Sequence, residues 1–229
     1  MISVLMSVYN SEKTIEVAIK SVLSQTFKDF ELLIVDDSSK DSTYKLLNKI
    51  KDTDKRIKIF KNESNIGLTK SLNFLANKAK YDIYARHDSD DYSEPSRFQK
   101  QLIFLEGKNF DACTTRARII INNNKIPGLS FYLPKRLVMN FKNPFIHGTL
   151  MIKKEAFEIC GKYDERFYYA QDYKLFKDLI SKGKNIKTIN EVLYNLNTNE
   201  NISTKYSKEQ KYFFECAKKN ISPDLNYFL

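Results

Sequence analysis

Three groups of carboxylates in the sequence have a spacing that could support chemistry. The densest comprises Asp88, Asp90 and Asp91, which lie within four consecutive positions. Carboxylates this close repel one another unless a cation lies among them, and their oxygens are ligands that Mg²⁺ and Mn²⁺ prefer. The segment therefore predicts a divalent-metal site. The alternative is an exposed acidic loop before a helix.

Two further acidic points lie elsewhere in the chain. The pair Asp36-Asp37 follows the apolar run Leu32–Val35, and alone such a pair could simply cap a helix. Asp172 follows the aromatic run Phe167–Tyr169 and opens a predicted helix. Burial beside aromatic rings can raise the pKa of a carboxyl towards the range of a general base. The alternative is an acid that only stabilises the start of a helix.

The first hundred residues alternate strand and helix patterns. The predicted strands are Ile2–Val8, Phe30–Val35, Arg56–Phe60 and Tyr81–Arg86. The predicted helices are one capped by Asn10 or Ser11 and running to Leu23, one over Asp41–Ile50, and one over Leu68–Ala79. This alternation indicates an α/β fold with a mostly parallel central sheet and helices on both faces. Ligands of such sheets bind beyond the carboxyl ends of the strands, where both acidic clusters fall.

The second half of the chain is less regular. The predicted helices are Pro95–Glu106, a short one ending at Gly161, Asp172–Ser181 and Ser207–Lys219. The predicted strands are Asp111–Ile121 and Phe145–Ile152, with a largely irregular segment between Pro127 and Pro144. No repeat or linker interrupts the chain, so the sequence predicts a single domain.

The composition is typical of a globular protein. The chain has 229 residues, a net charge of +10, 42% hydrophobic and 29% charged residues. Its three cysteines (Cys113, Cys160 and Cys216) fit neither a zinc motif nor a disulfide framework, so we expect a reducing compartment. We expect no signal peptide and no membrane-spanning segment.

The charge pattern and the missing motifs narrow the function classes. Ten Lys and five acids lie between Lys174 and Lys219, which predicts either a solvated surface or attraction to anionic lipid or substrate. The glycine-rich motifs of dinucleotide-binding and P-loop proteins and the Gly-x-Ser-x-Gly motif of hydrolases are absent from the sequence. The aromatic residues lie at core spacing, so we expect no nucleic-acid partner.

Several segments, in their order along the chain, resemble the family 2 glycosyltransferases with the GT-A fold. The segments are Val4–Asn10, Ser21–Thr26, Phe30–Asp41, Asn65–Asn73, Ala85–Asp91 with Pro95–Gln101, and Gly161–Glu165 with Gln171–Leu175. Each match alone is weak. Together, in this order and over most of the chain, the matches are strong evidence of a resemblance to this family.

This resemblance implies roles for individual residues. The positions that match nucleotide-sugar-binding residues of the family are Tyr9, Asp37, Asn65, Arg86 and Asp88. Asp90 matches the carboxylate that binds a metal, Mn²⁺ or Mg²⁺, on the diphosphate. Asp172 matches the general base that takes the proton of the acceptor hydroxyl in a single inverting displacement.

The resemblance also implies an organisation and a reaction. A single glycosyltransferase domain would span residues 1–229, with a nucleotide-sugar-binding half (1–107) and an acceptor-binding half that ends in a basic helix (108–229). The expected reaction moves a sugar from a UDP-sugar to a hydroxyl of a glycan or lipid-linked acceptor in bacterial surface polysaccharide synthesis, in the cytoplasm or at the inner face of the cell membrane. The alternatives are a nucleotide-sugar-binding module without turnover and a nucleotidyltransferase.

The sequence departs from the family pattern at a few positions. Ser38 stands where Gly is usual, and Gln171 stands where Glu is common. No His follows Asp172, so Asn195, Asn197 or water would have to replace a late His metal ligand. The chain has no Trp, so acceptor stacking would use Tyr or Phe. The segment around His147 resembles one that often reaches the active site, although a buried structural His is the alternative.

Overall fold

The computed structural model describes residues 1–107, 110–198, 206–224 and 227. Its strands are β1 (Ile2–Val8), β2 (Phe30–Asp36), β3 (Ile57–Lys61), β4 (Ile83–Arg86), β5 (Tyr92–Ser93), β6 (Ala112–Ile119), β7 (Lys125–Ile126), β8 (Met151–Lys153) and β9 (Ile186–Leu196). Its α-helices are α1 (Ile15–Leu23), α2 (Thr43–Ile50), α3 (Leu68–Lys78), α4 (Arg97–Gly107), α5 (Lys135–Val138), α6 (Lys154–Ile159), α7 (Gln171–Ser181) and α8 (Ser207–Lys219). Two 3₁₀ helices cover Leu129–Tyr132 and His147–Thr149.

One sheet connects the two halves of the described chain. The strand order is β3-β2-β1-β4-β8-β6-β9-β5, and β7 pairs with β6. Strands β3, β2, β1 and β4 are parallel, whereas β8 is antiparallel to both β4 and β6. The sheet is therefore parallel in its first half and mixed in its second. A strand parallel to β6 would need a long crossover connection. Only short helices lie between β6 and β8, which fits their antiparallel pairing.

The sheet buries apolar side chains on both faces. Ile2, Val4 and Met6 of β1 pack on one face against α1, α2 and α4. Leu5 of β1 packs on the other face with side chains of α3, α6, α7 and α8. Alternate residues of a strand point to opposite faces, so a largely apolar strand such as β1, buried along its whole length, must be covered on both sides. The predicted helices on both faces are thus confirmed.

The predicted cap of α1 is wrong. The helix begins at Ile15 after Thr14, which makes no side-chain capping hydrogen bond. Neither Asn10 nor Ser11 caps it, because Oδ1 of Asn10 accepts the N–H of Lys40 at 2.8 Å and the hydroxyl of Ser11 contacts another loop. The hydroxyl of Ser11 instead lies 2.8 Å from the hydroxyl of Ser89. The side chain of Ser11 thus joins two loops instead of capping the helix.

The second half differs from the sequence prediction in two places. The predicted strand Phe145–Ile152 is wrong, because His147–Thr149 forms a 3₁₀ turn and the strand starts only at Met151. The hydroxyl of Thr149 stabilises that turn by donating to the carbonyl of Ile146 at 2.8 Å. Strand β9 was not predicted at all. Its pairing with β6 shifts register around Arg116, and such a bulge interrupts the alternation by which strands are recognised.

Other boundaries differ by a few residues. Helix α2 begins at Thr43 rather than Asp41, because Oδ1 of Asp41 accepts the N–H of Thr43 in a turn. The predicted boundary between the two halves, at 107/108, adjoins residues 108–109, which lie outside the described residues. The basic helix Ser207–Lys219 is confirmed. In the described ranges no helix combines the length and the apolar character needed to cross a bilayer.

Candidate active site

The carboxylate of Asp37 lies just beyond the carboxyl end of β2 and is held by the chain itself. Its Oδ1 accepts hydrogen bonds from the side-chain amide of Asn62 (2.7 Å) and the N–H of Ile66 (2.9 Å). Its Oδ2 accepts the N–H of Gly67 at 2.8 Å. The residue is only 2% exposed. These donors fix the position of the carboxylate before any ligand binds.

An aromatic side chain from the second half of the chain covers this loop. Gly67 has φ +86°, a backbone conformation that favours glycine, and a Cβ there would lie 2.5 Å from Cε2 of Tyr168. Burial and the nearby negative charge of Asp37 raise the pKa of Tyr168. Tyr9 also acts on Tyr168 electrostatically, and Asn65 is exposed in the same loop as Gly67. The predicted base-binding residues therefore share one edge of the sheet, to which the structure adds Tyr168.

Arg86 ends β4 with a buried guanidinium group. Its Nη1 donates to the carbonyls of Leu5 (3.1 Å) and His87, and its Nη2 forms an ion pair with Oδ1 of Asp88. Burial acts to raise the pKa of Asp88, but the Arg86 cation and the other positive groups nearby hold it below its usual value. The structure thus places Arg86 as the residue that positions Asp88. Direct contact of Arg86 with a nucleotide stays a prediction.

The next two carboxylates in this loop repel one another. Burial and the charge of Asp88 raise the pKa of Asp90 to about 6. Burial and the charges of both neighbours raise the pKa of Asp91 well above its usual value. Oδ1 of Asp91 accepts the backbone N–H of Asn197 at 2.8 Å. A divalent cation is the kind of ligand that would relieve this repulsion.

The described residues do not supply a complete metal site by themselves. Within 1–107, 110–198, 206–224 and 227, no group of three or more His, Cys, Asp or Glu side chains is arranged to hold a metal ion. Mg²⁺ commonly binds through one or two carboxylates together with phosphate oxygens and water. The carboxylate of Asp90 fits that kind of site. Of the two asparagines considered as extra ligands, Asn197 contacts Asp91, whereas Asn195 donates to Glu94 at 2.8 Å.

Two residues that sequence reasoning did not single out shape the acidic loop. The hydroxyl of Tyr194, on β9, accepts the N–H of Asp88 at 3.0 Å. A Cβ on Gly148 would lie 2.5 Å from Oδ2 of Asp88 and 2.7 Å from the hydroxyl of Tyr194. Gly148 therefore allows a close approach that any larger residue would block. Its place in the His147–Thr149 segment was a sequence signal, but Tyr194 lay in the strand that was not predicted.

A buried arginine and a buried histidine support the backbone of the same loop. Nη2 of Arg97 donates to the carbonyl of Arg86 at 2.6 Å, and its Nη1 donates to the hydroxyl of Ser93 at 2.8 Å. Burial lowers the pKa of Arg97 to about 10. Burial and the positive charge of Arg97 lower the pKa of His87 to about 3, so this histidine is neutral. Its Nδ1 lies 2.7 Å from the carbonyl of Asp88 and donates to it.

Asp172 lies in the first turn of α7, in the second half of the chain. Its Oδ2 accepts the side-chain amide of Asn143 at 2.7 Å. Nε2 of His147 lies 2.6 Å from the hydroxyl of Tyr163. Burial lowers the pKa of His147, and the negative charges of Asp172 and Asp88 oppose this shift. The histidine therefore lies within electrostatic reach of both the predicted base and the predicted donor-binding loop.

Comparison with known proteins identifies the family. Residues 3–166 match the family described as "Glycosyl transferase family 2". The chain belongs to this family. The glycosyltransferase is 33% identical over 230 residues to the "O-antigen biosynthesis glycosyltransferase WbnJ" of Escherichia coli, with 95% of this chain and 86% of that protein covered. It is also 33% identical over 193 residues to the E. coli "UDP-Glc:alpha-D-GlcNAc-diphosphoundecaprenol beta-1,3-glucosyltransferase WfgD", with 83% and 73% covered.

A solved structure shows the same fold. The Staphylococcus aureus protein TarS, residues 1–349 in complex with UDP-GlcNAc, superimposes with a TM-score of 0.78 at 20% identity, covering 97% of this chain and 68% of that one. The GT-A fold, the family and the assignment as a glycosyltransferase enzyme are thus confirmed. The roles of Tyr9, Asp37, Asn65, Arg86, Asp88, Asp90 and Asp172 stay predictions.

Proposed function

We propose that this glycosyltransferase is an inverting, metal-dependent enzyme that moves a sugar from UDP to a hydroxyl of a glycan or lipid-linked acceptor. The observation that carries the proposal is that Asp88 and Asp172 both act electrostatically on His147, while Gly148, the next residue, lies against Oδ2 of Asp88. A donor held at Asp88 would then lie near the candidate base Asp172. This is the arrangement that a direct displacement at a sugar carbon requires.

The arrangement of Asp37 supports a uracil base. A carboxylate oxygen accepts two hydrogen bonds, and Oδ2 of Asp37 receives one from Gly67. A second donor such as the ring N–H of uracil can bind the same oxygen, whereas cytosine has no N–H at that position. The names of WfgD and of the TarS complex both refer to a UDP-sugar, which supports the same choice of donor.

Asp90 is the residue that would hold Mg²⁺ or Mn²⁺. Such an ion neutralises negative charge that develops on a departing diphosphate. The chain's own contribution is to keep Asp90 and Asp91 close together and at least partly buried, which raises both pKa values, and a cation would relieve the same repulsion. The position of Asp88 is set independently by Arg86 and Tyr194.

Asp172 is the proposed proton acceptor. Asn143 orients the carboxylate by donating to its Oδ2, which leaves Oδ1 to take the proton of the acceptor hydroxyl. The acceptor oxygen forms the new bond to the anomeric carbon while the bond from that carbon to the diphosphate breaks. One displacement inverts the configuration at that carbon.

The names of two relatives support the class of acceptor in this proposal. WbnJ is named for O-antigen biosynthesis and WfgD for a diphosphoundecaprenol-linked acceptor. We include in the proposal a lipid-linked acceptor, a role in surface polysaccharide synthesis, and action in the cytoplasm at the inner face of the membrane. A nucleotide-sugar-binding module without turnover is the competing function, and the family of the chain disfavours it.

The decisive experiment combines a donor screen with one substitution. UDP- and GDP-sugars are compared by thermal shift with Mn²⁺ and with EDTA, and the best donor is used for turnover. Asp172→Asn should keep donor affinity and lower turnover by about 10²–10⁴, the usual contribution of a positioned base.

Glu16→Gln is the matched control, because Glu16 is also an acid in the first turn of a helix. If Asp172 only stabilises its helix, both variants should lose about 0.3–1 kcal/mol of stability and keep turnover. Turnover near wild type in Asp172→Asn would reject the base, and absence of turnover in the wild type with every donor would favour the binding module.

A further inference from the structure

A surface rich in exposed apolar side chains follows β7. We call it the 129–141 surface, and its apolar members are Leu129, Tyr132, Leu133, Leu137 and Phe141. Their exposed fractions run from 50% for Leu133 to 88% for Leu129. Scattered exposed apolar residues are ordinary, but five within thirteen positions form a patch of the kind that marks an interaction site.

The local structure holds these side chains outward. Val138 and Met139 are buried, and the hydroxyl of Tyr173 donates to the carbonyl of Met139 at 2.9 Å. This contact ties the turn that includes α5 to α7. Leu137 and Phe141 are four residues apart in that turn and lie on the same side of it, opposite to the anchored one. The exposure is therefore built into the turn rather than caused by a free loop.

The segment of sequence that carries this surface has charges of a single sign. Residues 112–154 contain eight Lys and Arg (Arg116, Arg118, Lys125, Lys135, Arg136, Lys142, Lys153 and Lys154) and no Asp or Glu. Three of them, Lys125, Arg136 and Lys142, are exposed beside the apolar side chains. Apolar side chains that enter the acyl boundary, together with cations at the height of the lipid phosphates, are the features of an interfacial membrane contact.

We propose that the 129–141 surface docks this protein on an anionic bilayer. The basic region Lys174–Lys219 serves this purpose less well, because several of its cations are engaged by the protein. Lys174 pairs with Asp178, and Lys177 donates to the carbonyls of Ala217 and Lys218. In α8 the apolar residues Phe213, Cys216 and Ala217 face the core.

The 129–141 surface lies near the candidate base, so docking there would affect how an acceptor reaches the site. Asn143 follows it directly and donates to Asp172, so a bilayer at the 129–141 surface would lie close to the candidate base. A lipid-linked acceptor would then reach the site from the membrane. This consequence rests on the proposed function, whereas the docking itself does not.

The test measures co-sedimentation of the full chain with phosphatidylcholine vesicles that contain or lack phosphatidylglycerol, at low and high salt. We expect binding to the anionic vesicles that weakens with salt. Lys125→Gln, Arg136→Gln and Lys142→Gln combined should lower the partition coefficient by about 100-fold at low salt, from the usual contribution of each cation near an anionic surface. Leu133→Ser, Leu137→Ser and Phe141→Ser combined should abolish the binding that persists at high salt.

The controls are matched in number and chemistry. Lys208→Gln, Lys211→Gln and Lys219→Gln remove three exposed cations from α8, and Val17→Ser, Ile103→Ser and Ile159→Ser remove three exposed apolar groups from other helices. Both controls should bind like the wild type, and unchanged circular dichroism should show that every variant is folded. The proposal is overturned if the wild type does not bind, or if the α8 control loses binding as strongly as the surface variant.

Two other occupants would give different results. A second copy of the chain would appear as a dimer in light scattering that the triple Ser variant dissociates, without anionic-vesicle binding. An acidic protein partner would likewise leave the vesicles unbound. The assay contains neither donor nor acceptor, so its failure would leave the transferase proposal standing, and lost transferase activity would leave the docking standing.

Discussion

Carboxylates follow the carboxyl ends of both β2 and β4, but the surroundings of the two groups differ in how they stabilise the negative charge. At the end of β2, Asp37 receives three hydrogen bonds from its own chain. At the end of β4, burial and mutual repulsion raise the pKa values of Asp90 and Asp91. In the folded protein the carboxylate of Asp37 already has its hydrogen-bond donors. The negative charges of Asp90 and Asp91 are neutralised only when a cation or a proton binds. The stability of the second site should therefore depend on its ligand far more than that of the first.

The largest effect should come from Asp90→Asn. Loss of a charged metal ligand removes several kcal/mol of transition-state stabilisation, so we expect turnover to fall by about 100-fold or more. The same change should raise the melting temperature of the metal-free protein at pH 8. An acid whose pKa is raised on folding contributes stability below its unfolded value, and that contribution is lost as the pH rises through the folded value of about 6. The stabilisation by Asn should therefore vanish near pH 4.

Calorimetry in EDTA from pH 4 to pH 8, with turnover assays in Mn²⁺, measures both effects. Asp52→Asn makes the same chemical change at an exposed position and should alter neither quantity. A lower melting temperature in Asp90→Asn with turnover intact would mean that Asp90 is a structural acid. The ends of β2 and β4 would then not differ in how strongly their stability depends on a bound ligand.

Asp37→Ala tests the site at the end of β2 and should give the next largest effect. UDP affinity should fall by about 1.5–3 kcal/mol, the contribution of a hydrogen bond to a charged group. Unlike Asp90→Asn, this change should also lower the melting temperature of the ligand-free protein, because the N–H groups of Ile66 and Gly67 lose their acceptor. Titration calorimetry with UDP and CDP gives the affinity and the base preference. Equal affinity of the wild type for UDP and CDP would contradict the role of Asp37.

Gly148→Ala tests the close approach at the end of β4. The new Cβ would meet Oδ2 of Asp88 at 2.5 Å, so the loop must shift, and we expect about 1–3 kcal/mol of destabilisation and weaker donor binding. Gly107→Ala is the control, because a Cβ there meets nothing within 4 Å. Denaturant unfolding and donor titration of the two variants should differ clearly. Identical behaviour would show that Asp88 is not confined by Gly148.

The two strand ends also show what the sequence could predict. Asp37, Asp88, Asp90 and Asp172 could be named because a carboxylate after an apolar strand or at a helix start is a local pattern. Their supporting residues could not. The contact of Asp88 with Tyr194 joins residues 106 positions apart, and no spacing rule connects them.

The same reasoning applies to the elements. Strands β1 and β2 were predicted almost to the residue because they are mostly apolar, are buried on both faces and pair in an uninterrupted register. Strand β9 pairs across a bulge and carries polar residues such as Asn190 and Glu191, so its sequence lacks a strand pattern. The acidic loop was visible in the sequence, whereas the strand that supports it was not.

Ser38→Gly should have the smallest effect, and it tests how firmly the end of β2 is fixed. Ser38 has φ +63°, in the left-handed region where a non-glycine residue pays about 1–2 kcal/mol. Glycine removes that strain but loses about 0.5–1 kcal/mol through greater freedom in the unfolded chain. We therefore expect a net stabilisation of about 0.5–1 kcal/mol, measured by denaturant unfolding.

Ser38→Ala keeps the Cβ and should give no such gain, so it separates backbone strain from the hydroxyl, which lies 3.5 Å from the carbonyl of Glu63. The hydrogen bonds of the neighbouring Asp37 already fix this turn, so UDP affinity should stay unchanged in both variants. A gain in UDP affinity with Ser38→Gly would mean that the strained turn holds Asp37 away from its best position for binding UDP. Folding alone would then position the carboxylates at neither strand end.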